Sequence, residues 1–148
     1  MIKIVKEDIT TARNCVIAHG VNCQGRMASG VAKAIKEKWP SVYDVFMECE
    51  TGAGMLGAAK FVRVEEDTVV FNCYTQFRYG YDGKAYANTR AIDQSLRTVF
   101  YFAEQTGQPV CIPKIGCGLG GLDWDEDVKP IVEELSQLFD VLVYVYEI

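Results

Sequence analysis

Hydrophobic positions along the chain switch between two periods. Residues 1–6 (MIKIVK) alternate apolar and polar side chains and predict a strand. Residues 15–18 (CVIA) form a short continuous apolar run, the pattern of a strand covered on both faces. Over residues 29–38 the apolar positions Val31, Ala34, Ile35 and Trp39 recur near helical spacing, and Pro40 closes the segment. Ser41 then offers an N-cap for a second helix over 42–49. Residues 59–64 and 68–74 read as strands joined by an acidic turn at 65–67. Residues 85–106 predict a long helix with Ile92, Leu96, Val99, Phe100 and Ala103 on one face and Gly107 just beyond its end. Residues 109–113 (PVCIP) read as another buried strand. Residues 125–139 form a helix with Pro130 in its first turn, and 140–146 (DVLVYVY) close as a strand. Strands alternating with helices predict an α/β sandwich with a mixed sheet, whose ligands bind in loops at the carboxyl ends of strands.

A chain of 148 residues suits one domain, here 1–148. Fifteen Lys and Arg against 20 Asp and Glu leave a formal charge of −5, which argues against a sequence-independent grip on duplex DNA but not against a small nucleotide held by backbone amides. Lys3, Lys6, Glu7 and Asp8 interrupt any leader-like apolar stretch, and no run approaches the ~18 apolar residues of a membrane span. No membrane partner is expected, and the compartment expected is the cytoplasm. The six cysteines contain no C-x-x-C pair and are expected to be reduced. His19 is the single histidine, so no metal site and no cofactor is expected.

Three segments carry candidate chemistry. In residues 15–35 a buried strand runs into His19, Gly20, Val21 and Asn22, then Gly25, then Ser29 and Gly30 at a helix start. The amides of Ser29, Gly30, Val31 and Ala32 suit an anion; the alternative is an ordinary strand–loop–helix link with Ser29 as cap. In residues 112–124 (IPKIGCGLGGLDW) four glycines fall within six positions after a strand. That density suits a loop wrapping a diphosphate with main-chain N–H groups, against a tight bend as the alternative. Its spacing matches neither a P-loop nor a dinucleotide fingerprint. Third, EDIT at 7–10 places Asp8 after the first strand, where a carboxylate accepts from an exocyclic amine such as adenine N6 or forms an Asx turn.

Together the segments AHGVNCQG (18–25), SGVAKAI (29–35) and PKIGCGLGGLDW (113–124) resemble the macrodomains, the family of three-layer α/β/α ADP-ribose-binding folds with a central mixed sheet. EDIT is similar to that family's G-D-I opening, with Glu7 in place of Gly. The chain is most similar to the branch holding ADP-ribose 1″-phosphate phosphatases and a terminal ADP-ribose protein glycohydrolase. Where the glycohydrolases carry a Lys and an Asp this sequence has Gln76 and Gly120, and where a larger hydrolase branch carries an Asp it has Ala32. The phosphatase pattern, a His at the end of the second strand and an Asp after the central strand, is matched by His19 and Asp82. The resemblance implies hydrolysis of ADP-ribose 1″-phosphate to ADP-ribose and phosphate, with His19 and Asp82 catalytic. It implies adenine at Asp8 and Ile9, and diphosphate on Ser29, Gly30, Val31 and Ala32 together with Pro113, Ile115, Gly116, Cys117, Gly118, Leu119 and Gly120. Val21 and Asn22 would meet the terminal ribose, under Phe77 or Tyr79. The alternatives are an ADP-ribosyl ester hydrolase acting on ADP-ribosylated protein or O-acetyl-ADP-ribose, and a non-catalytic reader of ADP-ribose.

Overall fold

The computed structural model describes residues 1–27, 30–78 and 86–147. Among these residues six strands form one sheet: β1 (Ile2–Val5), β2 (Val16–Asn22), β3 (Ala59–Glu65), β4 (Thr68–Gln76), β5 (Val110–Ile112) and β6 (Val143–Tyr146). Their spatial order is β1-β6-β5-β2-β4-β3. Every neighbouring pair is parallel except β3 with β4, a hairpin closed by the acidic turn the sequence predicts. Among the described residues four α-helices complete the fold: α1 (Gly30–Lys38), α2 (Pro40–Glu48), α3 (Thr89–Thr106) and α4 (Lys129–Phe139).

Alternation along β2 divides the interior into two cores. Val16 and Ala18 pack with Ile92, Leu96 and Phe100 of α3 and Val132 and Leu135 of α4. Cys15, Ile17 and Val21 pack on the opposite face with Ile35 of α1 and Val42 and Phe46 of α2. Helices therefore cover both faces, giving three α/β/α layers. That is why β2 and β4 are buried along almost their whole length, whereas the edge strand β1 is not. Among the described residues no helix is long and apolar enough to cross a membrane. All six cysteines are free.

The differences from the sequence expectation have local causes. β2 continues past Ala18 to Asn22, because the ladder to β4 persists through His19, Gly20 and Val21. α2 starts at Pro40 with Trp39 at its N-cap position, so Ser41 does not cap it. Proline suits the first helical turn, where its missing N–H has no partner to lose. The described part of α3 starts at Thr89, where the Asn88 side chain accepts the Ala91 amide at 3.0 Å. Before α4 the chain makes a wide turn over Trp124–Val128, capped by Asp123, whose Oδ2 accepts the Glu126 amide at 2.8 Å. That turn brings Pro130 to the start of α4.

Candidate functional site

Because β1, β6, β5, β2 and β4 are parallel neighbours, their carboxyl ends share one edge of the sheet. The segments following β5, β2 and β4 leave that edge side by side, about 5 Å apart. The turn after β1 lies three strands from β2, about 14 Å away at ordinary strand spacing.

In the segment after β5, Gly116, Gly118 and Gly121 have φ of 78°, 67° and 83°. Gly116 combines left-handed backbone with close packing: a Cβ there would lie 2.8 Å from Ile92 Cδ1 and 3.2 Å from Leu122 Cδ1. Gly118 needs only the conformation, since nothing lies within 4 Å of its Cβ position and the space beside it is open. Turns inside the segment consume the amides of Ile115, Cys117, Gly121 and Leu122, which donate to the carbonyls of Pro113, Lys114, Gly118 and Gly116. The amides of Gly116, Gly118 and Leu119 stand outside these turns. This corrects the expectation for Ile115 and Cys117: their N–H groups shape the loop. Ile115 is also buried, and Pro113 has no N–H to give. Gly120 anchors the loop through its carbonyl, which accepts the Tyr86 and Ala87 amides at 2.8 and 2.9 Å.

After β2, Asn22 organises its own loop. Its Oδ1 accepts the Gln24 and Arg26 amides at 2.9 and 3.2 Å, and its Nδ2 donates to the Arg26 carbonyl at 2.6 Å. With these bonds made, Asn22 holds the loop's shape, where the sequence predicts a ribose contact. The first turn of α1 supplies Gly30, Val31 and Ala32, whose amides have no carbonyl one turn back within the helix. Ser29 lies outside the described residues. Ile9 and Val21, expected to touch ligand, are 5% and 4% exposed, with their side chains in the α1/α2 core. Their side chains therefore leave only main-chain groups to meet a ligand. Asp8 is exposed and forms the Asx turn: one carboxylate oxygen takes the Thr10 amide at 2.9 Å and the Thr10 hydroxyl at 2.8 Å. Those bonds hold its carboxyl below the usual range. Its second oxygen remains outside them.

His19 requires the largest correction. It is 1% exposed and faces the α1/α2 core, one ladder step from Asn72 of β4. Its Nε2 bonds Asn72 Oδ1 at 2.6 Å, and Asn72 Nδ2 reaches the Val42 carbonyl of α2 at 3.4 Å. Burial draws the imidazole pKa down to about 4, against the raising effect of the Asn72 bond. A neutral ring in this place ties β2, β4 and α2 together. Its expected partner Asp82 lies outside the described residues, as does Tyr79. Phe77 is at the edge, 36% exposed, with the Arg78 guanidinium 6.0 Å from its ring centre. Burial raises both the Cys23 and the Cys117 thiol, and Asp123 raises Cys117 further against the lowering effect of Lys114.

Thr75, near the end of β4, goes unassigned in the sequence reading. Thr75 is 1% exposed, and its hydroxyl lies 2.6 Å from where a Gly20 Cβ would be. Glycine inside a strand signals such a close approach. Gln76, which stands where the glycohydrolases carry a Lys, accepts the Cys23 amide and bridges to Ala87.

The Macro domain family model matches residues 18–131, and the chain belongs to that family. It is 27% identical over 151 residues to a DNA ADP-ribosyl glycohydrolase of Mycobacterium tuberculosis, across 99% of this chain but 42% of that protein. The chain thus spans about two fifths of the length of that relative. It is 24% identical over 156 residues to an ADP-ribose 1″-phosphate phosphatase of Candida albicans, across 97% of this chain and 99% of that protein. A solved structure of a Bacteroides thetaiotaomicron protein superposes with a TM-score of 0.90 at 28% identity, covering 100% of this chain and 98% of the other.

Proposed function

We propose that the chain binds ADP-ribose along the carboxyl edge of its sheet and hydrolyses ADP-ribose 1″-phosphate to ADP-ribose and phosphate. The observation that carries this reading is the glycine loop after β5, with the first turn of α1 following the adjacent strand β2. Two neighbouring parallel strands deliver both, and amides of Gly116, Gly118, Leu119, Gly30, Val31 and Ala32 stand outside loop turns or intrahelical bonds. Such amides stabilise a diphosphate without a net positive surface. Adenine then falls toward Asp8 and the terminal ribose toward the ends of β2 and β4, in the order in which the ligand's parts are joined. Relatives named as ADP-ribose 1″-phosphate phosphatases match nearly end to end, at 24% and 23% identity for the Candida and Meyerozyma proteins.

In this reaction a water oxygen bonds to phosphorus and the P–O bond to C1″ breaks. The departing oxygen takes a proton. With His19 buried, this chemistry rests on positioning and on amide stabilisation of phosphoryl charge, with Asp82 as the water-activating carboxylate.

A second reading, release of ADP-ribose from modified DNA, draws on the relatives named DNA ADP-ribosyl glycohydrolases at 27% and 28% identity. One experiment separates the two. ADP-ribose binding is measured by calorimetry; the protein is then given ADP-ribose 1″-phosphate, an ADP-ribosylated oligonucleotide and an ADP-ribosyl ester. Phosphate release from the first substrate alone is expected. Freed ADP-ribose from the oligonucleotide or the ester selects a glycosyl or ester hydrolase, and binding without turnover selects a reader.

A further inference from the structure

We propose that the outer face of α3 and α4 is the interface of a symmetric dimer of this chain. Both helices leave the carboxyl edge of the sheet and lead into a strand, α3 into β5 and α4 into β6, so they lie side by side in one direction. Between them is an open groove of about 670 Å³. Its α3 wall carries Arg90, Asp93 and Arg97, and its α4 wall carries Ile131 and Glu134. Arg97 Nε donates to Asp93 Oδ2 at 3.2 Å. Among the described residues Arg90 and Glu134 have no ion-pair partner. One helical turn beyond Arg97 and Glu134 stand Tyr101 and Leu138, 59% and 60% exposed. Among the described residues only Met1 is a more exposed large apolar side chain.

The two walls are in step. The rings of Phe100 and Phe139 lie 6.3 Å apart, which sets the level of one helix against the other. Counting back from these rings, Glu134 stands level with Ser95, close to Arg97, and Leu138 lies about 3 Å along the axis from Tyr101. Charge then selects the occupant. Glu134 repels an anionic polymer, and an apolar ligand would leave Arg90 and Glu134 desolvated and unpaired. A second copy, turned about a two-fold axis parallel to the helices, sets each α3 on the partner's α4. Arg97 then faces the partner's Glu134 and Tyr101 faces the partner's Leu138, each contact made twice. An axis across the helices would instead set α3 on α3, with Arg97 against Arg97. With α3 on α4 the two grooves close on each other as four packed helices, and Tyr101 and Leu138 leave water. Both candidate sites then lie at one end of the dimer.

The test is analytical ultracentrifugation of the wild type, Arg97→Glu and Glu134→Arg, each alone over a range of concentrations and the two variants mixed. The wild type is expected to sediment as a dimer. Each variant alone meets like charge at both contacts and should weaken the dimer about a hundredfold. Mixed in equal amounts the two should dimerise again, because the new charges face each other at one contact and the native pair forms at the other. Recovery on mixing supports the proposal. A monomeric wild type overturns it and leaves the groove to a different partner. A dimer that neither change weakens has its interface elsewhere, and variants that stay monomeric when mixed do not pair α3 with α4; each of these results also overturns the proposal. If thermal melting shows either charge variant unfolded, Leu138→Lys carries the test: its dissociation to monomer supports the proposal, and an intact dimer overturns it.

Discussion

Lowering the pH from 7 to 5 should destabilise the protein by about 2 kcal/mol through His19 alone. The native imidazole titrates at about 4 because it is 1% exposed with no charged partner, whereas in the unfolded chain it titrates near 6.5. Between those values the unfolded state binds a proton that the native state refuses, so stability falls as the pH drops through 6.5 and goes on falling to 4. At pH 7 this linkage costs only ~0.2 kcal/mol; at pH 5 it costs ~2 kcal/mol, at about 1.36 kcal/mol per pKa unit. Asp8 and Glu147, whose carboxyls are held low by hydrogen bonds from Thr10 and Lys114, contribute stability that is present above the unfolded carboxylate pKa. That stability is lost at more acid pH, so the window from 7 to 5 belongs to the histidine. Urea unfolding at pH 7, 6 and 5 measures the effect, with His19→Gln as reference. The variant should be less stable at pH 7 and should show a flatter slope. Because His19 is the single histidine, its imidazole resonances are unambiguous and report the native pKa directly. Parallel pH profiles for the two proteins, or an imidazole that titrates near 6.5 in the native state, would refute the reasoning.

The site makes separate demands. Gly118→Glu should abolish ADP-ribose binding in calorimetry while lowering the melting point little: the left-handed φ of 67° costs a side chain about 1 kcal/mol, and the new carboxylate faces the diphosphate. Asp82→Asn should lower phosphate release at least a hundredfold in a phosphate assay with ADP-ribose affinity retained, as expected for loss of a general base. In the α3/α4 core, Leu96→Ala should cost about 2–5 kcal/mol in urea unfolding, since Leu96 is fully buried between α3 and the sheet. At the start of α3, Asn88→Ala should cost about 1 kcal/mol in the same assay by removing the cap on the Ala91 amide.

The layers were legible because burial writes itself into periodicity. β2 and β4 sit between two helical layers and need apolar side chains on both faces, while α3 needs them on one face only. The glycine loop was legible for a related reason: left-handed backbone at Gly116 and Gly118 excludes most other residues. The amide cap at Asn88 and the proline start of α2 were missed. Each depends on a hydrogen bond, or on the lack of a need for one, that apolar spacing does not record.

His19 shows why the site was harder to read than the fold. A strand ending at Ala18 would leave the imidazole in a loop, free to turn toward a ligand. One that runs to Asn22 fixes its direction by parity: positions 15, 17, 19 and 21 face α1 and α2, and 16, 18 and 20 face α3. Four residues of strand length therefore decide whether the only histidine is a reagent or a brace. The sequence alone leaves that length open, because Gly20 and Asn22 are poor strand formers. They are held in the ladder by what lies opposite. Gly20 yields its side-chain space to Thr75, and Asn22 stands beside Gln76. The same parity sends Gly20 toward α3 and leaves Asn22 and Gln76 as the last rung before the loops diverge. A ligand meets the sheet at that rung, so polar residues of weak strand propensity are tolerated there for the loops they tie together.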